Sequence, residues 1–269
     1  MRLGADCPPI VNDALVSRGC QLPHPPRGDI LTDMKAQEIG RIAALYRYPV
    51  KSMGAESLES INVGWHGFTG DRRWAFVREG LVRSNFPWLT IRENPEMWHY
   101  QPRFVEPDRP EHSPVSVHTP SGVDFDVADP ALAAMLGHGA QLIKQGRGVF
   151  DTFPLSLISV QTVAAIGEMT TSVLNALRFR PNLVIDARDA NDFPEDELVG
   201  SVLQIGEMKM RIDKRDERCV MINVDPSTTE KNAGVLRAVA QERQACAGVY
   251  GSTVQTGRVA VGDKVFVAR

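Results

Sequence analysis

The sequence of 269 residues has little of what marks membrane, secreted or nucleic-acid-binding proteins. No run approaches the roughly 20 apolar residues that a membrane-spanning helix requires. The start of the chain, residues 1–11, carries one arginine but no apolar stretch behind it, so a secretory signal is not expected. The net charge is −3, which lacks the basic excess typical of phosphate-tracking surfaces. We predict a cytoplasmic protein with no membrane and no nucleic acid among its partners.

Cysteine is also scarce. The four cysteines are Cys7, Cys20, Cys219 and Cys246, and they form no CxxC pair and no regular framework. In a cytosolic chain of this size we expect reduced thiols. No cysteine cluster could hold an iron–sulfur centre, so none is predicted. The six histidines fall in no metal-ligand spacing, and we interpret them as surface or structural residues.

What is present indicates a globular protein with two domains. Hydrophobic residues make up 43% of the chain, enough for a proper core, and charged residues make up 23%. Residues 1–37 are proline-rich and lack periodic hydrophobicity, which predicts a poorly ordered tail. Two explanations of this tail stay open: it is a genuine flexible extension, or it lies upstream of a true start at Met34.

Beyond the tail, short apolar runs with turn residues between them predict a mainly β protein with a few helices. Valines alternate at 115 and 117 and again at 123 and 127, around Thr119-Pro120-Ser121-Gly122, which predicts a hairpin. A second hairpin is predicted at the C-terminus, around Gly262-Asp263. Many short strands favour β-barrels over a parallel sheet.

Three helices are predicted from apolar spacing and capping residues. One covers residues 131–136. A longer one is capped by Ser159 and runs to about Leu177, with Val173 in its buried stripe. The third lies near residues 235–239. Residues 145–148 contain two glycines, which places the predicted boundary between a domain of residues 38–148 and a domain of residues 149–269.

Cys219 has two arginines close in sequence, Arg215 and Arg218. Positive neighbours favour the thiolate form of a cysteine, and the thiolate is the form that ligates soft metals. The alternative is a small apolar residue at the edge of a core strand. The local sequence alone favours that alternative.

Further polar groups follow predicted strands. They are Lys51-Ser52, Gly70-Asp71-Arg72 and the group of Arg178, Arg180 and Asn182 around Pro181. Such side chains at strand ends suit a phosphate or a polar heterocycle. The alternative is solvated charge at the rim of a barrel.

Taken together, these motifs resemble one family. In order along the chain they are Tyr48-Pro49-Val50-Lys51-Ser52, Gly70-Asp71-Arg72, Arg178-Phe179-Arg180-Pro181-Asn182, Arg218-Cys219 and Val224-Asp225-Pro226. From about Ile39 to its end, the chain resembles proteins with a molybdenum cofactor sulfurase C-terminal (MOSC) domain preceded by the MOSC N-terminal β-barrel domain. The mitochondrial amidoxime-reducing component and its bacterial counterparts are the functional relatives that this resemblance suggests.

The resemblance implies a site. In this family a cysteine thiolate binds molybdenum, and basic and polar residues grip the pyranopterin. Carried over by motif, Cys219 is the implied metal ligand and catalytic residue. The implied cofactor contacts are Lys51, Ser52, Arg72, Asp151, Thr152, Arg180 and Asn182. The chain departs from the family at Ile91, where a glutamine often stands before the arginine, and at Thr229, where a glycine often stands.

The resemblance also implies a function. The expected activity is that of a molybdenum cofactor-dependent oxidoreductase that reduces small N-hydroxylated or N-oxide compounds. Its electrons would come from a separate protein of the flavin reductase, ferredoxin or cytochrome type. No pyridoxal phosphate is expected, because the desulfurase domain of cofactor sulfurases is absent from this sequence. The alternative is a non-catalytic module that carries the cofactor, or sulfur as a persulfide.

Overall fold

The computed structural model describes residues 36–81, 83–189 and 191–267. The predicted tail therefore lies outside the described residues up to residue 35. In chain order the strands are β1 (Gln37–Arg47), β2 (Glu56–Leu58), β3 (Ser60–Gly64), β4 (Gly67–Phe68), β5 (Trp74–Val77), β6 (Gln101–Phe104), β7 (Val115–His118), β8 (Asp124–Asp126), β9 (Gln141–Lys144), β10 (Leu155–Ser159), β11 (Leu183–Ala187), β12 (Val202–Ile205), β13 (Met208–Glu217), β14 (Cys246–Gln255), β15 (Gly257–Ala260) and β16 (Lys264–Val267). The α-helices are α1 (Pro130–Leu136), α2 (Val160–Met169) and α3 (Ala233–Arg243).

Seven strands close into a β-barrel, which confirms the predicted fold class. Their order is β11-β10-β14-β13-β12-β16-β1, and β1 pairs back onto β11 to close the ring. Only the pair β10–β11 within this ring is parallel. Strand β2 pairs with β1 outside the closed ring. Closure leaves these seven strands without free edges.

The barrel interior is filled by alternate side chains of its strands. Leu45, Leu157, Leu203, Met210 and Val265 are all fully buried there. Side chains of a strand point to opposite faces in turn, so each strand supplies every second residue to this core. Burying one such side chain stabilises the fold by about 1.5–3 kcal/mol. The apolar core therefore fixes the register of the strands whose ends carry the polar residues of the site.

The N-terminal part of the chain contributes to this barrel. Strands β1 and β2 belong to its sheet, and β3 pairs with β15 near the C-terminus. The remaining early strands form small sheets, β5–β9 and β6–β7–β8, around a second core that includes Tyr48, Phe76 and Trp98. The predicted domain boundary at residue 148 stays a prediction. Strands from before residue 148 pair with strands from after it.

The hairpin of β7 and β8 is confirmed, with Val117 opposite Phe125. The predicted C-terminal hairpin is wrong. A turn does form at Gly262-Asp263, but Val259 of β15 pairs with Ile61, whereas β16 joins the barrel between β1 and β12. Sequence alternation specifies two strands and a turn, but it does not specify which neighbours the strands take.

The helix capped by Ser159 is shorter than predicted. Ser159 accepts a hydrogen bond from Thr162 N at 3.0 Å, as expected of an N-cap. However, α2 ends at Met169, and Thr171 adopts a left-handed conformation with φ 51°. Hydroxyl side chains compete for the helix backbone, and Thr170 Oγ1 donates to Ile166 O at 2.9 Å. Val173 is consequently fully exposed rather than part of a buried stripe.

Two further features complete the frame. Residues 220–223 form a 3-10 turn directly after Cys219. In the part of the chain that the structure describes, no helix combines the length and the apolarity needed to cross a membrane.

Candidate functional site

The residues that the resemblance singled out converge on one cavity of about 250 Å³. They reach it from segments next to different strands of the barrel and of the smaller sheets. The predicted residues that line it are Lys51, Ser52, Arg72, Asp151, Thr152, Arg180, Asn182 and Cys219. The structure therefore gathers every predicted site residue, although the role of each stays a prediction. We call this space the Cys219 cavity.

Three of these residues adopt backbone conformations that side chains rarely take. The φ angles of Ser52, Arg72 and Arg180 are 68°, 50° and 51°. A left-handed residue other than glycine costs roughly 1–2 kcal/mol, and such residues concentrate at functional sites. The surrounding fold holds all three against this cost, which places their side chains at the cavity.

Arg180 is held as a buried cation between two aromatic rings. Its guanidinium lies 4.2 Å from the ring centre of Tyr48 and 4.6 Å from that of Trp98, and Nη1 donates to Met53 O at 2.8 Å. Burial lowers the pKa of Arg180 to about 10. The side chain thus remains positively charged at neutral pH, in a fixed plane.

Arg72 belongs to a buried network with Asp71 and Asn182. Asp71, which is fully buried, accepts hydrogen bonds from Arg72, from Asn182 Nδ2 at 3.1 Å and from Tyr48 N at 2.7 Å. Burial alone would lower the pKa of Arg72, but the adjacent Asp71 carboxylate raises it. Asn182 also donates to Tyr46 O at 3.2 Å and accepts from Ser156, so both its donors serve the protein frame. Asn182 therefore orients its neighbours.

Lys51 and Asp151 form an ion pair across the cavity wall. Lys51 Nζ lies 2.7 Å from Asp151 Oδ1 and also donates to Val149 O at 3.2 Å. Burial lowers the pKa of the lysine, and the Asp151 carboxylate opposes that shift. Thr152, the next residue, is exposed at the mouth.

Cys219 follows β13 and is partly exposed to the cavity. Its sulfur accepts a hydrogen bond from Arg92 Nη2 at 3.1 Å. Arg215, which the sequence suggested as a neighbour, instead bonds to Arg243 O and pairs with Asp196. The cation at the sulfur comes from a segment 127 residues away, so local sequence could not identify it.

Arg218 is oriented by the frame next to the cysteine. Its Nε donates to Ala247 O and its Nη1 to Phe179 O, each at 2.7 Å. Asp216 lies 2.8 Å from the same Nη1 and is almost fully buried. Burial raises the pKa of Asp216 to about 6, although Arg218 and a hydrogen bond with Tyr250 oppose the shift. Sequence reasoning missed this acid, because nothing in its local pattern signals burial.

Several polar atoms at the cavity are buried without a hydrogen-bond partner among the described residues. Three of them are the donors Ser52 Oγ, Arg180 Nη2 and Arg218 Nη2. An unsatisfied buried donor costs about 1–3 kcal/mol, so such atoms call for a ligand or water. All three can donate to the oxygens of a phosphate or the polar edge of a heterocycle.

Cys246 contrasts with Cys219. It is buried away from the cavity, its sulfur lies 3.5 Å from Gln244 O, and burial raises the pKa of its thiol. Cys246 is thus a packed thiol, and its raised pKa disfavours the thiolate form that binds metals. Cys7 and Cys20 lie outside the described residues.

Comparison with known proteins adds the family. Residues 39–143 match the model of the MOSC N-terminal beta barrel domain, and residues 139–266 match the model of the MOSC domain. None of the curated proteins compared with the chain matches it.

Solved structures give more distant likenesses. The YUAD protein from Bacillus subtilis is 12% identical, with 86% of this chain and 97% of that chain covered and a TM-score of 0.48. YiiM from Geobacillus stearothermophilus is 14% identical, with 43% of this chain and 54% of that chain covered and a TM-score of 0.33. The two family matches together span the barrel and the cavity, and MOSC domains are associated with binding of the molybdenum cofactor. The chain thus belongs to the MOSC-domain proteins that carry a MOSC N-terminal β-barrel domain.

Proposed function

We propose that this protein is a cytoplasmic molybdenum cofactor-dependent oxidoreductase that reduces N-hydroxylated or N-oxide compounds. The observation that carries the proposal is Cys219: it is the one cysteine, among the described residues, that lines the cavity, and six basic side chains line the same cavity. A thiolate is a suitable ligand for a soft metal, and the cations suit a phosphorylated, anionic cofactor.

The cofactor fits the residues that are present. Ser52, Arg180 and Arg218 each carry a buried donor atom without a partner, and Lys51 and Arg72 add charge close to them. Cys219 would ligate the metal from the far end of β13. When bound, the cofactor supplies the redox and oxygen-transfer chemistry, and the protein supplies binding, orientation and electrostatics.

The remaining walls of the cavity suit a small organic substrate. Phe86, Phe150 and Met221 give apolar surface to the cavity that Cys219 also lines, and a substrate packed on them would be partly shielded from water. Asp216 provides a buried carboxyl group, and burial raises its pKa to about 6, above the usual range of an aspartate. Removal of oxygen as water consumes two protons, so an acid in this wall is chemically useful.

The electrons would come from a separate protein. The sequence contains four cysteines and no CxxC pair, so we propose a flavin reductase, ferredoxin or cytochrome type of donor. A second function, carriage of the cofactor or of persulfide sulfur on Cys219, would use the same cavity without turnover.

One assay separates the two. Protein purified with its cofactor is supplied with reduced methyl viologen and benzamidoxime, and product amidine and molybdenum content are measured together. Turnover with bound molybdenum supports the oxidoreductase. Bound molybdenum without turnover supports a carrier, and absence of both molybdenum and pterin contradicts the proposal.

A further inference from the structure

The Cys219 cavity holds more cations than its carboxylates neutralise. Four of the six basic side chains pair with an acid: Lys51 with Asp151 at 2.7 Å, Arg72 with Asp71, Arg178 with Asp225 at 2.5 Å and Arg218 with Asp216 at 2.8 Å. The other two, Arg92 and Arg180, contact no carboxylate within the described ranges. Arg180 is buried and aligned for the cofactor. Arg92 is exposed at the mouth, where a substrate must enter.

The backbone that carries Arg92 is firmly anchored. Leu89, Thr90 and Ile91 are buried, and Thr90 donates to the Glu93 carboxylate from both its N, at 3.1 Å, and its Oγ1, at 2.7 Å. Arg92 N in turn donates to Thr90 Oγ1 at 3.3 Å. The exposed side chain therefore projects from a rigid turn, which makes its position reproducible.

The guanidinium of Arg92 lies between an aromatic ring and the sulfur. It stands 5.1 Å from the ring centre of Phe86, and Nη2 donates to Cys219 Sγ at 3.1 Å. That contact uses one of the five N–H donors of an arginine. The others have no acceptor among the described residues. A group that binds next to the sulfur can therefore accept hydrogen bonds from the remaining N–H donors of Arg92.

We propose that Arg92 is a specificity-determining residue that binds the oxygen of an N-oxide substrate and distinguishes it from the deoxygenated amine. Guanidinium only donates hydrogen bonds, and the oxygen of an N-oxide only accepts them and carries formal negative charge. Phe86 and Phe150 supply flat apolar surface for an aromatic ring. The inference rests on the proposed function for its substrate class.

The reaction balances with a named reductant. The N–O bond breaks, the oxygen leaves as water after taking up two protons, and the nitrogen keeps an electron pair as the free heteroaromatic amine. The two electrons come from a reduced donor, either the partner protein or reduced methyl viologen. Arg92 holds the oxygen in this scheme and neither gives nor takes a proton.

The test is equilibrium binding without reductant, so that no turnover is needed. Calorimetry gives the Kd of quinoline N-oxide and of quinoline, which lacks only the oxygen. The proteins are the wild type with its cofactor, Arg92→Gln, Arg92→Lys and the control Arg103→Gln, whose arginine is exposed on β6. We expect the wild type and the control to bind the N-oxide about tenfold more tightly than quinoline.

In Arg92→Gln this preference should fall to nearly one, and Arg92→Lys should restore part of it. Wild-type protein without the preference, or Arg92→Gln that retains it, overturns the assignment. Turnover with methyl viologen is measured separately on the same samples. A protein that reduces neither quinoline N-oxide nor benzamidoxime loses the proposed function, whereas the binding ratio still decides the role of Arg92.

Discussion

Polar atoms without partners distinguish the site residues from ordinary charged residues of a barrel rim. Ser52 gives the clearest case, because its Oγ is buried and has no hydrogen-bond partner among the described residues. An unsatisfied buried polar group costs about 1–3 kcal/mol, so the Ser52 hydroxyl does not stabilise the fold. We infer that Oγ is retained for a ligand.

Ser52→Ala should therefore move stability and cofactor binding in opposite directions. We expect the free energy of unfolding of the cofactor-free protein to stay the same or rise by up to about 1 kcal/mol, while pterin content per chain falls. Ser113→Ala is the matched control, because Ser113 Oγ accepts from Glu106 N and donates to Pro114 O, each at 2.8 Å. The control should lose stability and keep its pterin. A Ser52 variant with full pterin content contradicts the assignment.

The raised pKa of Asp216 predicts that the free energy of unfolding depends on pH. Its folded-state pKa of about 6 lies above the unfolded value of about 3.9, so the folded chain holds this proton more tightly. The resulting stabilisation is full below pH 4 and is lost as pH rises through 6. Between pH 4 and pH 7, wild type should lose on the order of 2–3 kcal/mol relative to Asp216→Asn. Urea titrations of both cofactor-free proteins measure this, and parallel pH profiles would refute it.

At the same scale, the sequence predicted Cys219 as a site residue, and the residue does line the cavity, but one of its predicted neighbours is wrong. Arg215 and Arg218 were chosen by proximity along the chain, yet Arg215 bonds to Arg243 O and Arg92 contacts the sulfur. Alternate residues of a strand face opposite sides, so closeness in sequence does not predict which side chain meets which. The role predicted for Cys219 came from the family motifs, because the local sequence alone favoured a small apolar residue.

Among the elements, β1 determines how the barrel closes. It pairs with β11 on one side and β16 on the other, and Gly40 lies opposite Ala187. A Cβ at position 40 would overlap the carbonyl oxygen of Asp186. Only glycine permits so close an approach of the two backbones.

Gly40→Ala should thus destabilise the barrel by about 1–3 kcal/mol, the usual cost of overpacking. Chemical denaturation measures the loss. Gly122→Ala is a control for backbone strain alone, because Gly122 has φ 81° and an added Cβ there would meet open space. Position 40 should lose stability through contact alone. Unchanged stability of Gly40→Ala would show that β1 and β11 can separate without cost.

The elements themselves were largely predictable, and their partners were not. Apolar alternation located the β7–β8 hairpin, and Ser159 located the start of α2. The same signals failed at β15 and β16, whose partners are set by barrel closure over long sequence separations. They failed again at Val173, because hydroxyl residues ended the helix before it.

At the scale of the whole molecule, the barrel draws strands from both ends of the chain. Strand β1 completes the ring and β3 pairs with β15, so neither predicted domain contains a full set of its own strand partners. We expect residues 36–267 to unfold in one cooperative transition. Fluorescence and far-UV circular dichroism should give coincident curves. Two separated transitions would instead support independent domains divided near residue 148.

The central claim is that Cys219 is the protein ligand of molybdenum, and molybdenum content per chain tests it most directly. Wild type, Cys219→Ala and Cys246→Ala are purified from cells that make the cofactor, and metal and pterin are measured by mass spectrometry and fluorescence. Both substitutions remove only a small side chain, so all three proteins should fold. We predict wild-type molybdenum in Cys246→Ala and a large loss in Cys219→Ala. Cys219→Ala protein that keeps wild-type molybdenum would contradict the account.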